Sequence, residues 1–146
     1  METVGSILAN KGKTIWSVAP DATVFDALAI LAEKDVGALP VVSQGKLVGI
    51  FSERDYARKV ILLGRSSREM RVHEIMTAAV VTVTPENSIE ECMQLVTSHR
   101  VRHLPVLVED RLVGIVSIGD LVNAIISSQK ETIQHLSNYI TGAYPT

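Results

Sequence analysis

Cysteine occurs once in this chain of 146 residues, at Cys92. No internal disulfide can form, and a reducing compartment is the natural setting. A single thiol also cannot anchor a zinc site, and His73, His99, His103 and His135 show no metal-ligand spacing. No run of 18 or more apolar residues is present, and the opening METVGSILANKGK has no secretory hydrophobic region. A soluble, cytoplasmic protein without a membrane segment is therefore expected. Charge of one sign is missing as well. The formal net charge of −2 offers no sequence-wide attraction for nucleic acid or an anionic membrane. Gly12-Lys13-Thr14 ends like a phosphate-binding loop, but the required earlier glycine position holds Ile7. GxGxxG is absent, and neither a nucleophile elbow nor a Ser-His-Asp grouping is evident. Nothing here predicts an enzyme.

What the chain does contain is a repetition. Trp16 to Ile61 overlies Val81 to Ile126 at a constant offset of 65 residues without a gap, with 13 identities in 46 positions. Leu39 to Asp55 reads LPVVSQGKLVGIFSERD, and Leu104 to Asp120 reads LPVLVEDRLVGIVSIGD. A gapless repeat sets the architecture before any single residue is interpreted. Two units of about 60 residues would each be marginal alone, so a shared core is expected. The hydrophobic fraction of 47% and the mean hydropathy of +0.25 agree with a well-filled interior or a further buried interface.

Each copy reads as β-α-β-β-α. In the first, Thr14 to Ala19 is a short strand closed by Pro20, and Asp21-Ala22-Thr23 opens a helix. Leu39 to Val42 and Leu47 to Phe51 form a hairpin around Ser43-Gln44-Gly45-Lys46. Ser52 caps a second helix, Glu53 to Leu63. The second copy predicts a strand over Val80 to Thr84, a helix over Ser88 to Ser98, a hairpin around Glu109-Asp110-Arg111, and a helix over Gly119 to Ser128. The domain plan is an N-terminal extension (1–13) with a short helix over Val4 to Leu8, repeat one (14–63), a polar linker (64–79) with a helical turn over Val72 to Met76, repeat two (80–128) and a helix-competent C-terminal extension (129–146).

The chemistry resides in a repeated Ser-x-x-Asp. Ser52 and Asp55 sit where a strand gives way to a helix, as do Ser117 and Asp120. At such a junction, side chains and free N–H groups face whatever lies beyond the strand end. A carboxylate there can accept two hydrogen bonds from a vicinal diol such as a ribose, and the serine can add a third contact. Ile50 and Ile115, two residues earlier, offer flat apolar surface for a base. The same spacing is also an ordinary helix cap worth roughly 1 kcal/mol, and one serine can serve both ends. Arg54 and Arg58, one helical turn apart, can face the phosphates of a bound nucleotide or simply form a solvated helix face. Their counterparts in the second copy are Gly119 and Asn123. Trp16 reads as a packing residue and Cys92 as an inert buried thiol.

In tandem, V-x-P…LPV…LVGI-x-S-x-x-D resembles the CBS domain pair, or Bateman module, from Thr14 to Ser128. KGKTIWSV, SERDYARKVILLGRSS, RVRHLPV, SIGDLVNAI and NYITGAY are similar to segments of stand-alone bacterial CBS-pair proteins. Plant organellar CBS-pair proteins implicated in regulating thioredoxin are similar too. The resemblance implies an α/β fold of two pseudo-twofold-related β-α-β-β-α repeats. It also implies a regulatory module taking adenosine-containing ligands (AMP, ADP, ATP, NAD or S-adenosylmethionine) in two clefts. One cleft would combine Ile115, Ser117 and Asp120 with Ile15, Trp16, Gly37 and Ala38. The other would combine Ile50, Ser52 and Asp55 with Val80, Val81, Thr82 and His103. The aspartates would hold ribose, the backbone near Ala38 or His103 would meet the adenine edge, and Arg102 with His103 would contact phosphate. Gly37-Ala38 against Arg102-His103 breaks the symmetry between the clefts.

Three functions follow for testing. The leading one is a non-enzymatic nucleotide sensor acting on a protein effector in trans. The second is a protein-interaction regulator, with a thioredoxin-like or metabolic enzyme partner and secondary or vestigial nucleotide sites. The third is a nucleotide hydrolase, against which the missing metal and nucleophile groupings argue. The family implies a homodimer, for which Tyr56, Val60, Val122 and Ile126 are the interface candidates.

Overall fold

The computed structural model describes residues 2–12 and 14–141. In chain order the elements are α1 (Val4–Lys11), α2 (Val24–Lys34), β1 (Ala38–Ser43), β2 (Lys46–Ser52), α3 (Glu53–Tyr56), a π-helical turn (Ala57–Ile61), α4 (Val72–Ile75), α5 (Ile89–His99), β3 (His103–Val108), β4 (Arg111–Ser117) and α6 (Ile118–Thr141). The sheets are two antiparallel hairpins, β1 with β2 and β3 with β4. Their registers correspond residue for residue at the repeat offset, Ala38 facing Ser52 and His103 facing Ser117, and the same irregularity falls after Val41 and after Val106. Both turns place their two central residues at positive φ, Gln44 and Gly45 at 52° and 77°, Glu109 and Asp110 at 49° and 65°. That is the two-residue turn whose twist matches a hairpin.

Local chemistry sets the helix boundaries. The hydroxyl of Thr23 accepts from the Asp26 N–H and that of Ser88 from the Glu91 N–H, so α2 and α5 start one residue after their caps. Both stop at a left-handed residue, Asp35 and Arg100. Three expectations change. The opening strands of each repeat shrink to single parallel bridges, Val18 with Val41 and Val83 with Val106. Pro20 and Pro85 follow so closely that only about one ladder step can form. The helix expected over Glu53 to Leu63 turns π-helical after Tyr56. The last helix runs on to Thr141, since no glycine or proline interrupts residues 120 to 141.

The buried apolar residues form two clusters rather than one shared core. Val18, Val24, Leu31, Leu39, Val41 and Phe51 of the first repeat pack with Met70, Val72 and Ile75 from the stretch between repeats. Val83, Ile89, Val96, Leu104, Val106 and Val116 of the second pack with Val4 and Ile7. Each repeat therefore takes into its core the short helix that precedes the other repeat in the chain. Backbone hydrogen bonds hold both crossings, from the Val72 N–H to the Ala22 carbonyl and from the Gly5 N–H to the Pro85 carbonyl, each 2.9 Å. Val60 is 1% exposed and Tyr56 packs against the first core, so these two interface candidates are withdrawn. Val122 and Ile126 remain exposed.

Candidate functional site at the first strand-to-helix junction

β2 ends in Ser52, whose extended backbone starts α3. The Ser52 hydroxyl accepts from the Asp55 N–H at 3.1 Å, and the Ser52 N–H donates to Asp55 Oδ2 at 3.0 Å. This is the reciprocal cap that the spacing allowed. The Ser52 hydroxyl also lies 3.0 Å from Oδ2, while Thr77 Oγ1 donates to Oδ1 at 3.3 Å and Lys59 Nζ lies 3.2 Å from it. Asp55 is buried, and all four acceptor positions of its carboxylate are in use. Thr77 arrives through a two-hydrogen-bond bridge to Ile50, which carries the segment at 77–81 alongside β2.

Beyond this junction opens a cleft of about 410 Å³, a volume usual for small-molecule sites. Ile50, Val80, Val81 and Val101 give it apolar walls, and Ser52, Asp55 and Thr77 lie at the strand end. Arg54, Arg58, Lys59, Arg100 and Arg102 supply five cations against the carboxylates of Glu53 and Asp55. His103 lines it too, with its ring against Gly37. Burial, then the Lys11 ammonium, push the His103 imidazolium down from its ordinary range, Asp120 opposing and Arg102 adding to the effect.

Of the residues expected in this cleft, the structure brings together all but one. Thr82 instead faces a separate groove between the hairpins, beside Lys46, Leu107 and Asp110.

The second junction repeats the cap. The Ser117 N–H donates to Asp120 Oδ2 at 2.9 Å, and the Asp120 N–H donates to the Ser117 hydroxyl at 3.1 Å. Its surroundings differ. Lys11 Nζ, at the end of α1, lies 2.7 Å from Asp120 Oδ2 and 2.9 Å from the Ile115 carbonyl. Burial pushes the Asp120 carboxyl up, but the Lys11 and Ser117 hydrogen bonds outweigh it and hold the group below its ordinary value. Asp120 opens onto a groove between α1 and α6 that includes Asn10 and Asn123. None of the partners expected for it, Ile15, Trp16, Gly37 and Ala38, lines this groove. Gly37 lines the first cleft, Ala38 is buried in β1, and Trp16 is exposed beneath Lys34 Nζ at 4.2 Å from its ring centroid. Ile15 is half-buried and does not line the Asp120 groove.

The CBS domain family model matches residues 7–61 and 72–127. The chain belongs to the CBS domain family. CBS domain-containing protein CBSX3, mitochondrial, of Arabidopsis thaliana is 42% identical over 152 aligned residues, covering 97% of this chain and 73% of the relative. CBS domain-containing protein YhcV of Bacillus subtilis (strain 168) is 38% identical and covers 72% of this chain and 74% of its own. Among solved structures, a CBS-domain protein of Burkholderia ambifaria MC40-6, proposed to act in signal transduction, shares 52% identity and superimposes with a TM-score of 0.83. It spans 87% of this chain and 96% of that one.

The sequence reading placed the two aspartates at the strand-to-helix junctions and, from helical spacing, Arg54 and Arg58 beside the first. It missed Lys59, Thr77, Arg100 and Lys11. Lys59 stands four residues after Asp55 on a helix, a spacing that places both on one face. Arg100 ends α5 in a left-handed conformation, and its carbonyl accepts from Arg54 Nη1 at 3.3 Å. Thr77 and Lys11 meet their aspartates only through the crossing of entry segments, which leaves no local signal. Cys92 is wholly buried, and burial, then Glu91, push its thiol up. Among the described residues no group of three or more His, Cys, Asp or Glu is placed to hold a metal, and no helix is long and apolar enough to cross a membrane.

Proposed function

We propose that this CBS-pair protein is a non-enzymatic regulatory module that binds one adenosine-containing nucleotide (AMP, ADP, ATP or NAD) in the cleft around Asp55. It then signals to a partner protein in trans. The observation that carries this reading is the composition of the cleft, an apolar wall and a strand-end carboxylate under five cations. A base can lie on Ile50 and Val80, a ribose diol can donate to Asp55, and phosphates can meet the arginines in charge-assisted hydrogen bonds. The diol enters at Oδ1, where the Thr77 and Lys59 contacts are the longest that Asp55 makes. Lys59 is 44% exposed. Lys59 Nζ also donates to the Ile75 carbonyl at 2.9 Å, so a diol that displaces it from Oδ1 leaves the ammonium held beside the cleft, within reach of the phosphates.

The second junction supports occupancy by one nucleotide only. The repeat counterparts of Arg54, Arg58, Lys59, Arg100 and Arg102 are Gly119, Asn123, Ala124, Asp35 and Gly37. None is a cation, and Lys11 already pairs with Asp120 Oδ2. Calorimetric titration with AMP, ADP, ATP and NAD tests the reading. Wild type is expected to bind at one site per chain. Asp55→Ala, which removes two hydrogen bonds to a charged group worth about 3 kcal/mol together, should weaken binding about 100-fold. Asp120→Ala should leave it within about threefold. Silence toward all four nucleotides, or loss of binding on Asp120→Ala alone, overturns the proposal.

A further inference from the structure

α6 continues well past the second repeat. At about 1.5 Å per residue its 24 residues span about 36 Å. Leu121 reaches the second core and Ile125 packs against it, whereas every residue from Ile126 to Ser137 is exposed. In proteins most helical stability comes from packing an amphipathic face. The sequence of α6 supplies such a face. Val122, Ile126, Gln129, Ile133 and Leu136 follow one another at alternating steps of four and three residues, and the spacing continues in the sequence to Ile140. That is the a/d seam of a two-stranded coiled coil. Val122, Ile126, Ile133 and Leu136 are 39%, 43%, 66% and 58% exposed, far more than their apolar side chains need for solubility.

We propose that this seam pairs with the same seam of a second copy of the chain, parallel and in register. Two observations select this occupant and orientation. Ile126, Ile133 and Ile140 fall at a positions and Val122, Gln129 and Leu136 at d; β-branched residues at a favour two parallel strands where Leu stands at d, as at Leu136. Gln129 is the one polar residue of the seam. In the parallel register it meets Gln129 of the second copy, and each carboxamide can donate to the other's oxygen. In an antiparallel pair centred on the seam, Gln129 would face Ile133 and lose those bonds. Charge does not oppose the approach, because residues 126 to 138 carry only Lys130 and Glu131 as formal charges. Lys130 flanks the seam at an e position, opposite Ile125 at g of the second copy in the parallel register.

Cysteine cross-linking in the full chain tests both the partner and the orientation, because the native Cys92 is buried. Leu136→Cys, oxidised with copper phenanthroline at micromolar concentration, should convert to a covalent dimer on a non-reducing gel. Glu131→Cys, on the opposite face of α6, should remain a single chain. In an antiparallel pair Leu136 lies opposite Ile126, so cross-linking that requires Ile126→Cys and Leu136→Cys together overturns the assignment. So does a Leu136→Cys chain that stays uncoupled, or one that couples no faster than Glu131→Cys. Light scattering on Ile133→Asp with Leu136→Asp gives an independent readout. The double variant should show half the wild-type mass and a thermal transition that no longer rises with protein concentration, while still folding, since neither residue belongs to a core. An unchanged mass rejects the seam.

Discussion

At the scale of single residues, the same Ser-x-x-Asp does the same structural work at both junctions and faces two different fates. Asp55 takes its cation from its own helix, four residues on. Asp120 takes one from a helix 109 residues away in sequence. Lys11 occupies Oδ2, one of the two carboxylate oxygens a diol could use, and its second bond to the Ile115 carbonyl holds the ammonium at the strand end. Lys11→Met keeps the length and apolar stem of the side chain and deletes the ammonium. The ion pair is partly exposed, so stability should fall by no more than about 1 kcal/mol. The expected gain is a second, weaker site that takes adenosine about as well as ATP, since Lys11 is the only cation among the described residues that line its groove. Calorimetry of Lys11→Met, alone and with Asp120→Ala, checks this. A stoichiometry that stays at one ligand per chain refutes the role given to Lys11.

At the scale of elements, the entry segments decide which glycines matter. A Cβ at Gly49 would lie 2.5 Å from Met76 Sδ and 3.0 Å from the Thr77 carbonyl oxygen. At Gly114 it would lie 2.6 Å from Leu8 Cδ2 and would meet only that side chain. Thr77 is fixed by two hydrogen bonds of 2.9 Å with Ile50, whereas Leu8 can change rotamer. Gly49→Ala should therefore cost about 1–3 kcal/mol, in the range of overpacked cores, and Gly114→Ala less than about 1 kcal/mol. Urea unfolding of the two variants compares them directly, and equal losses would mean that the two crossings are equally yielding. The hairpins, caps and helix starts were legible in the sequence because each depends on residues within four positions, such as Gln44-Gly45 or Ser88 with Glu91. The repeat carried that reading from one half to the other. The crossings were not legible, since Val4, Ile7, Val72 and Ile75 look the same whether they pack on the following repeat or the other one. With them went Lys11 and Thr77, two of the five residues that contact the aspartate carboxylates.

At the scale of the whole molecule, the two clusters are tied by exchange. The first core is incomplete without Val72 and Ile75, and the second without Val4 and Ile7. Removing residues 1–11 should thus injure the repeat farther along the chain and spare the one next to the cut. Val4 is 0% and Ile7 8% exposed. Burying two such side chains contributes about 3–6 kcal/mol, a large part of the roughly 5–15 kcal/mol that holds a domain together. The shortened chain should melt about 10–20 °C lower. Hydrogen exchange then locates the damage. Amides of β3 and β4, such as Leu104 and Val116, should lose protection first, while Leu39 and Phe51 in β1 and β2 keep theirs, because α4 still closes the first core. Loss of protection concentrated in β1 and β2 would show that α1 supports its own repeat and would remove the exchange on which the placement of Lys11 depends.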